Sequence, residues 1–291
     1  MTEEFSNQYN RYHTFEELIT REDATINIAR VALLIATIEY SNFDIEQYLA
    51  KLDELARRVR VMLGLLPMAM PEDIAPLTII DAINKVLFEE EQFRGNEDDY
   101  YNPDNSFFNK VLDTHVGIPI SLSLLYIEIG KRVGLNVEGI GLPFHFVVRC
   151  VLPTEILYID PFERGLLLNE QDCRERIRRM SHGRMTRLPH HLFEPVKPRQ
   201  LLVRMLGNLK NIYLHKEDYM KALLVLEYLL LLIPDNAREI RDKGIIHLQL
   251  KHYARALHDF KMYLKLEPQA SDRHEIQSHI KMIQQTIAMM N

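Results

Sequence analysis

Residues Ile120–Val133 (ISLSLLYIEIGKRV) are apolar on nearly every face. A helix of that kind is stable only where other elements cover it all round, so it is expected inside a domain rather than on its surface. Pro119 suits the first helical position, where the missing N–H costs nothing, and Gly117–Ile118–Pro119 punctuates the approach. Two strand-like stretches follow, Val137–Val151 and Glu155–Phe162, around a hairpin centre at Leu152–Pro153. That centre pairs Arg149 with Ile156, Val147 with Tyr158 and His145 with Asp160. His145 and Asp160 then share one face of the sheet.

Helices are expected before and after this segment. Residues 22–39 and Asp44–Leu63 carry amphipathic patterns, the second with Asn42 or Asp44 as N-cap and Arg57, Arg58 and Arg60 at its C-terminal end. Leu65–Pro76 holds three prolines and reads as a linker. Ile79–Phe88 reads as a further helix, Glu89–Asp99 as an acidic solvated loop, and Ser106 as the cap of a short helix Phe107–Asp113. Pro234 and Pro268 stand one tetratricopeptide period apart, and counting back from Pro268 puts Gly244, Ala256 and Phe260 at the small, small and aromatic repeat sites. Counting back from Pro234 puts Tyr213 and Ala222 at two more, and Asp272–Met290 would be a capping helix. The expected fold class is α+β and mostly helical. Its parts are an N-terminal helical region (1–88), a papain/transglutaminase-like core (89–198) and a C-terminal tetratricopeptide-repeat helical array (199–291).

Composition bounds the function classes. With 291 residues, 47% hydrophobic and 26% charged, the chain is of ordinary globular type. Its longest apolar run, Val31–Ile38, falls short of the ~20 residues of a membrane span, and an acidic, polar start (MTEEFSNQYN) is unlike a secretory signal. Cys150 and Cys173 make no disulfide framework and fit a reducing, cytoplasmic setting. Residues 1–100 hold 20 acids and 9 bases, a charge of −11, while 101–200 carry +2 and 201–291 carry +3. Residues 174–187 hold six arginines with one acid, Glu175, and no interleaved aromatics, a weak nucleic-acid pattern that fits acidic protein surface better.

Cysteine–histidine–aspartate enzymes of the papain/transglutaminase type set a thiol at the start of a buried helix, with His and Asp on adjacent strands. Residues 117–160 follow this plan with His145 and Asp160, but the helix start GIPISLS has no Cys. Ser121 and Ser123 are small residues that suit close packing, and Ser121 is expected to cap the helix. As a nucleophile either would need a base within hydrogen-bond reach. Cys150 lies on the strand face opposite His145, and Cys173 reads as a buried structural thiol. His190–His191 lacks the spaced partners of a metal site, and no phosphate-binding glycine loop is present.

The strings NSFFNKVLDTHVGIPISLSLLYIEIGKRVGL, GIGLPFHFVVR, YIDPF, QDC (Gln171–Cys173) and MLGNLKNIYL resemble the SirB-type transglutaminase-like proteins of bacteria, above all members with tetratricopeptide repeats. The resemblance covers essentially the whole chain. It implies a transglutaminase core whose thiol position is commonly not Cys. A related core in certain eukaryotic F-box proteins implies partner binding rather than chemistry. The family usually has Gly before the core histidine; here it is Phe144, which is expected to narrow any cleft. The resulting expectation is a non-catalytic, or at most weakly catalytic, scaffold or adaptor for a protein or peptide. It carries no cofactor, metal, nucleic-acid partner or membrane insertion, and Phe144, Arg174, Arg178 and Arg179 are candidate binding residues. The rival is a hydrolase or amide-bond enzyme using Ser121 or Ser123 with His145 and Asp160.

Overall fold

The computed structural model describes residues 13–20, 22–40, 42–65, 74–185 and 188–290. Most of the expected linker, with Arg187 of the arginine segment, lies outside them. The fold is α+β and mostly helical, in two compact units, Met1–Met205 and Leu206–Asn291.

In the first unit Asn27 starts helix α1 (Ile28–Ile35) by accepting the Arg30 N–H, so the helix expected over 22–39 begins later and ends in a 3-10 turn, Ala36–Ile38. Asp44 caps α2 (Ile45–Met62) through the Glu46 N–H. Pro76 opens α3 (Pro76–Asn84), which widens into a π turn over Lys85–Glu90. Ser106 does not cap α4 (Phe108–Thr114). Phe107 holds the cap position, and the buried Ser106 hydroxyl has no hydrogen-bond partner among the described residues. The central helix α5 (Pro119–Val133) has Pro119 in its first turn and ends at Gly134 in the left-handed region. It packs between α2 and a four-stranded sheet in one hydrophobic core that also takes in α1, α3 and α4. The N-terminal helices and the central helix therefore share a core across residue 88.

The sheet is an antiparallel meander, β3 (Val137–Ile140), β4 (Val147–Val151), β5 (Ile156–Asp160) and β6 (Leu166–Leu168), separate from a two-stranded parallel pair β1 (Arg94–Gly95) and β2 (Val116–Gly117). The single strand expected over 137–151 is two strands joined through Leu142–His145, and Pro143, unable to donate to a ladder, marks the break. The β4–β5 register is shifted by two from expectation, with Arg149 opposite Tyr158 and Val151 opposite Ile156. The reason is that the turn closes between the Leu152 N–H and the Glu155 carbonyl. A shift of two keeps every side chain on its expected face. Phe146, Val148, Cys150 and Ile159 meet α5, while Val147, Tyr158 and Leu168 meet Cys173 and Ile177 of α6 (Glu170–Met180).

Helix α7 (Pro198–His215) runs through the point of division between the units. It is followed by α8 (Tyr219–Leu232), α9 (Ala237–Gln249), α10 (Tyr253–Leu266) and α11 (Arg273–Met290). The repeat positions do their expected work. A Cβ on Gly244 would sit 2.8 Å from the Phe260 ring, so its absence lets α9 and α10 close, with Ala256 and Phe260 fully buried between them. Lys210 is buried and salt-bridged to Glu239 and Asp242 at 2.7 and 2.8 Å.

The same helices bury His247, whose Nε2 lies 3.7 Å from Asp259 and whose Nδ1 lies 3.3 Å from His252. Burial, reinforced by Lys243, His252 and Arg255, pushes His247 down to about 4. The unfolded chain takes this proton near the ordinary 6.5 and the folded unit does not. Stability is therefore lost as pH falls from 6.5 toward about 4. Burial pushes Asp259 up, and that group acts in the opposite sense. Comparing His247→Leu with wild type isolates the histidine. Its melting temperature should fall less steeply across this window, and an equal slope would contradict the assignment.

Candidate functional site

Asp160 ends β5 with no exposed surface. Burying a carboxylate is costly unless its lone pairs are filled, and here they are. Oδ1 accepts the Phe162 and Glu163 N–H groups at 3.1 and 3.3 Å, which fixes the turn after Pro161. Oδ2 accepts His145 Nε2 at 2.8 Å and Arg176 Nη1 at 2.9 Å. Because a carboxylate only accepts, it is His145 Nε2–H that donates in this contact. Nδ1 has no hydrogen bond among the described residues and is not sealed from solvent. The His145 ring stands edge-on to Phe162, centroids 6.0 Å apart. Phe162 packs where a Cβ on Gly95 would stand, and with Gly95, Arg94, Glu97, Asp98 and Arg164 it lines a cleft of about 300 Å³.

Two serines on α5 were candidate nucleophiles, and both are fully buried. The Ser121 hydroxyl accepts the Ile118 N–H at 3.1 Å and donates to the Asn105 carbonyl at 2.6 Å, capping the helix from within. Asn105 is itself held, donating to Asp99 and accepting from Asn96. Ser123 donates to the Phe146 carbonyl at 3.3 Å. That bond brings the first turns of α5 against the residue next to His145, yet neither hydroxyl bonds the imidazole. The sheet explains this. Asp160 lies on the face of Tyr158, turned to α6, and α5 covers the other face. Both thiols are buried and pushed up by burial, Cys173 to about 12, so neither is a ready nucleophile.

The binding candidates separate. The Arg174 guanidinium is engaged inside the fold, by Glu170 at 2.6 Å, by the Leu188 carbonyl at 2.6 Å and over the Phe193 ring. Arg178 and Arg179 are exposed, with no partner among the described residues. Arg176 is the arginine that reaches the His–Asp pair. The helical period could have singled it out, since Cys173 and Ile177 form the buried stripe and Arg176 flanks it.

Phe144 does not fill a cleft; it is 58% exposed. Leu142–His145 is a turn closed by the His145 N–H to the Leu142 carbonyl at 3.2 Å, with Pro143 second and Phe144 third at φ +64°. The third position of such a turn favours Gly, so the special dihedral survives without the residue that adopts it freely. Arg204, on α7 within the first unit, also went unforeseen. Its Nη2 donates to the Leu142 and His145 carbonyls at 2.8 and 2.5 Å, holding both ends of the turn.

Two stability predictions follow from this geometry. A left-handed Phe is strained by roughly 1–2 kcal/mol, so Phe144→Gly should stabilise by about 1 kcal/mol and raise the melting temperature, whereas Phe144→Ala should not. Asp160→Asn turns an amide N–H₂ toward two donors, and removing one partner of a buried pair costs roughly 3–5 kcal/mol. Arg176→Met leaves three of the four bonds to Asp160 and should cost less. Denaturant melts that reversed this order would refute the account of the carboxylate.

A family profile described as Transglutaminase-like superfamily matches residues 46–207, and a Tetratricopeptide repeat profile matches 209–281. A UPF0162 protein of Xylella fastidiosa (strain Temecula1 / ATCC 700964) is 33% identical over 270 residues, covering 91% of this chain and 93% of that protein. One of Vibrio cholerae is 29% identical over 64% of this chain and 68% of its own length. F-box only protein 21 of Mus musculus is 34% identical over 142 residues, 46% of this chain and 22% of that protein. No solved structure matches. The buried helix, the meander and the repeat helices thus have their counterpart in sequence, and the chain belongs to the transglutaminase-like superfamily, alongside the UPF0162 proteins.

Proposed function

We propose that this chain is a non-catalytic scaffold or adaptor that binds protein, with residues 89–198 as its transglutaminase-like core and 199–291 as its repeat array. Within the superfamily it fits the SirB-type members, on the strings around GIPISLS and LPFHF. One observation carries the reading: among the described residues the His145–Asp160 pair has no serine hydroxyl bonded to it, because Ser121 and Ser123 have spent their hydroxyls on backbone groups. Arg176 adds a fixed positive charge to the same carboxylate, so the cluster is internally neutralised, as suits a structural tie. The tetratricopeptide match supports protein partners, since such repeats present extended helical surfaces. Exposed Arg178 and Arg179 fit an acidic protein surface rather than nucleic acid, since no aromatic is interleaved with them for base stacking. Two free buried thiols fit a cytoplasmic setting. Among the described residues no helix is long and apolar enough to cross a membrane.

The second reading, a Ser-His-Asp hydrolase or amide-bond enzyme, is favoured by the His145–Asp160 bond alone. Fluorophosphonate and iodoacetamide probes on native wild type, Ser121→Ala and His145→Ala distinguish the two. The scaffold reading expects no labelling of the folded chain and a lower melting temperature for His145→Ala. Labelling of the wild type that both substitutions abolish would make this protein an enzyme.

A further inference from the structure

Arg204 does less for the fold than its chemistry allows. Its two hydrogen bonds both come from Nη2, to carbonyls on either side of Phe144, and the guanidinium lies over the Phe146 ring at 5.3 Å. Nε and Nη1 have no partner among the described residues, and neither is sealed from solvent. No carboxylate among those residues acts on its charge; Tyr100 alone does, and burial pulls Arg204 below its ordinary value. A turn clamp needs only one donating nitrogen. Here a planar cation is held half-buried with its other donors free, the form of group that recognises carboxylates.

The surface around it is aromatic. Phe144 is 58% exposed, Tyr101 67% and Tyr100 37%. Tyr100 stands edge-on to Tyr101 and to Phe162, centroids 5.4 and 6.3 Å away. Phe144 is the telling residue. It is strained by its positive φ and leaves more than half of its surface in solvent, where Gly would adopt the same turn freely. Exposed aromatics beside an arginine are the composition of binding hot spots.

On the scaffold reading above, we infer that Arg204, Phe144 and Tyr100 bind a protein segment in which an Asp or Glu side chain lies beside a bulky apolar one. The carboxylate takes Nε and Nη1 of Arg204, and the apolar side chain lies on Phe144 and Tyr100. An internal acidic residue is favoured over a chain-terminal carboxylate, because capture of a terminus uses backbone N–H nests and the His145 N–H is already spent within its turn.

The test is selection of a displayed random peptide library, blocked at both ends, on the full chain. A parallel library has free C-termini and no Asp or Glu. Selected peptides should carry an acid next to a bulky apolar residue. Synthetic copies should bind at least about tenfold more weakly to Arg204→Gln and to Phe144→Gly, the loss of one charge-assisted contact or one anchor, with Arg204→Lys in between. Phe144→Gly, expected to melt above wild type, carries the test if Arg204→Gln fails to fold. Peptides without an acid preference, or indifferent to these substitutions, would overturn this site and leave the scaffold reading standing. Free-terminus peptides that depend equally on Arg204 would overturn the internal-acid assignment. If neither library yields a binder, both readings fall.

Discussion

Asp160 has no contact with solvent and yet must keep four donors satisfied. Its two oxygens receive one side chain from the turn before β4, one from α6 and two backbone N–H groups from its own following turn. The carboxylate thereby joins the end of β5, the His145 turn and α6 at one point. Arg204 secures the same turn from α7, through the carbonyls of Leu142 and His145. Backbone geometry that would otherwise be free to vary is fixed there by charge-assisted bonds, and around the fully buried Asp160 leaving any of them unmade is expensive.

This arrangement joins a histidine to a buried carboxylate with no serine hydroxyl bonded to the imidazole among the described residues. An imidazole oriented by a buried carboxylate is one half of an acyl-transfer site. The other half would come from the start of α5, and that corner is closed by Asn105, Ser121 and the Ile118 backbone. A Cβ on Gly117 would lie 2.8 Å from the Ser121 oxygen, which shows how tightly the corner is packed. The strained, exposed Phe144 and the donors of Arg204 that lack a partner among the described residues lie elsewhere, at the turn before β4, and they form the surface inferred to bind a partner.

Much of the site was readable in the sequence because its signals are local. The hydrophobic pattern of Ile120–Val133, Pro119 and the Pro234–Pro268 spacing give helix type and place directly, and Gly244, Ala256 and Phe260 fall where the repeat needs them. The shared face of His145 and Asp160 survived a register error because the error was two residues and strand faces alternate singly. The break in the strand at Pro143 was also written in the chain, although the apolar run around it masked the turn.

What the sequence by itself determined is the set of elements and their buried faces, since these follow from periodicity, capping residues and turn chemistry within a few residues. Only the tertiary structure decided which charged groups meet. Arg176 rather than Arg174, Arg178 or Arg179 reaches Asp160, Arg204 crosses to a turn some sixty residues away, and the serines turn to backbone carbonyls instead of the imidazole. The reason is that a side-chain ion pair or hydrogen bond depends on distances of a few tenths of an ångström between elements remote in sequence, and no local pattern encodes how those elements pack.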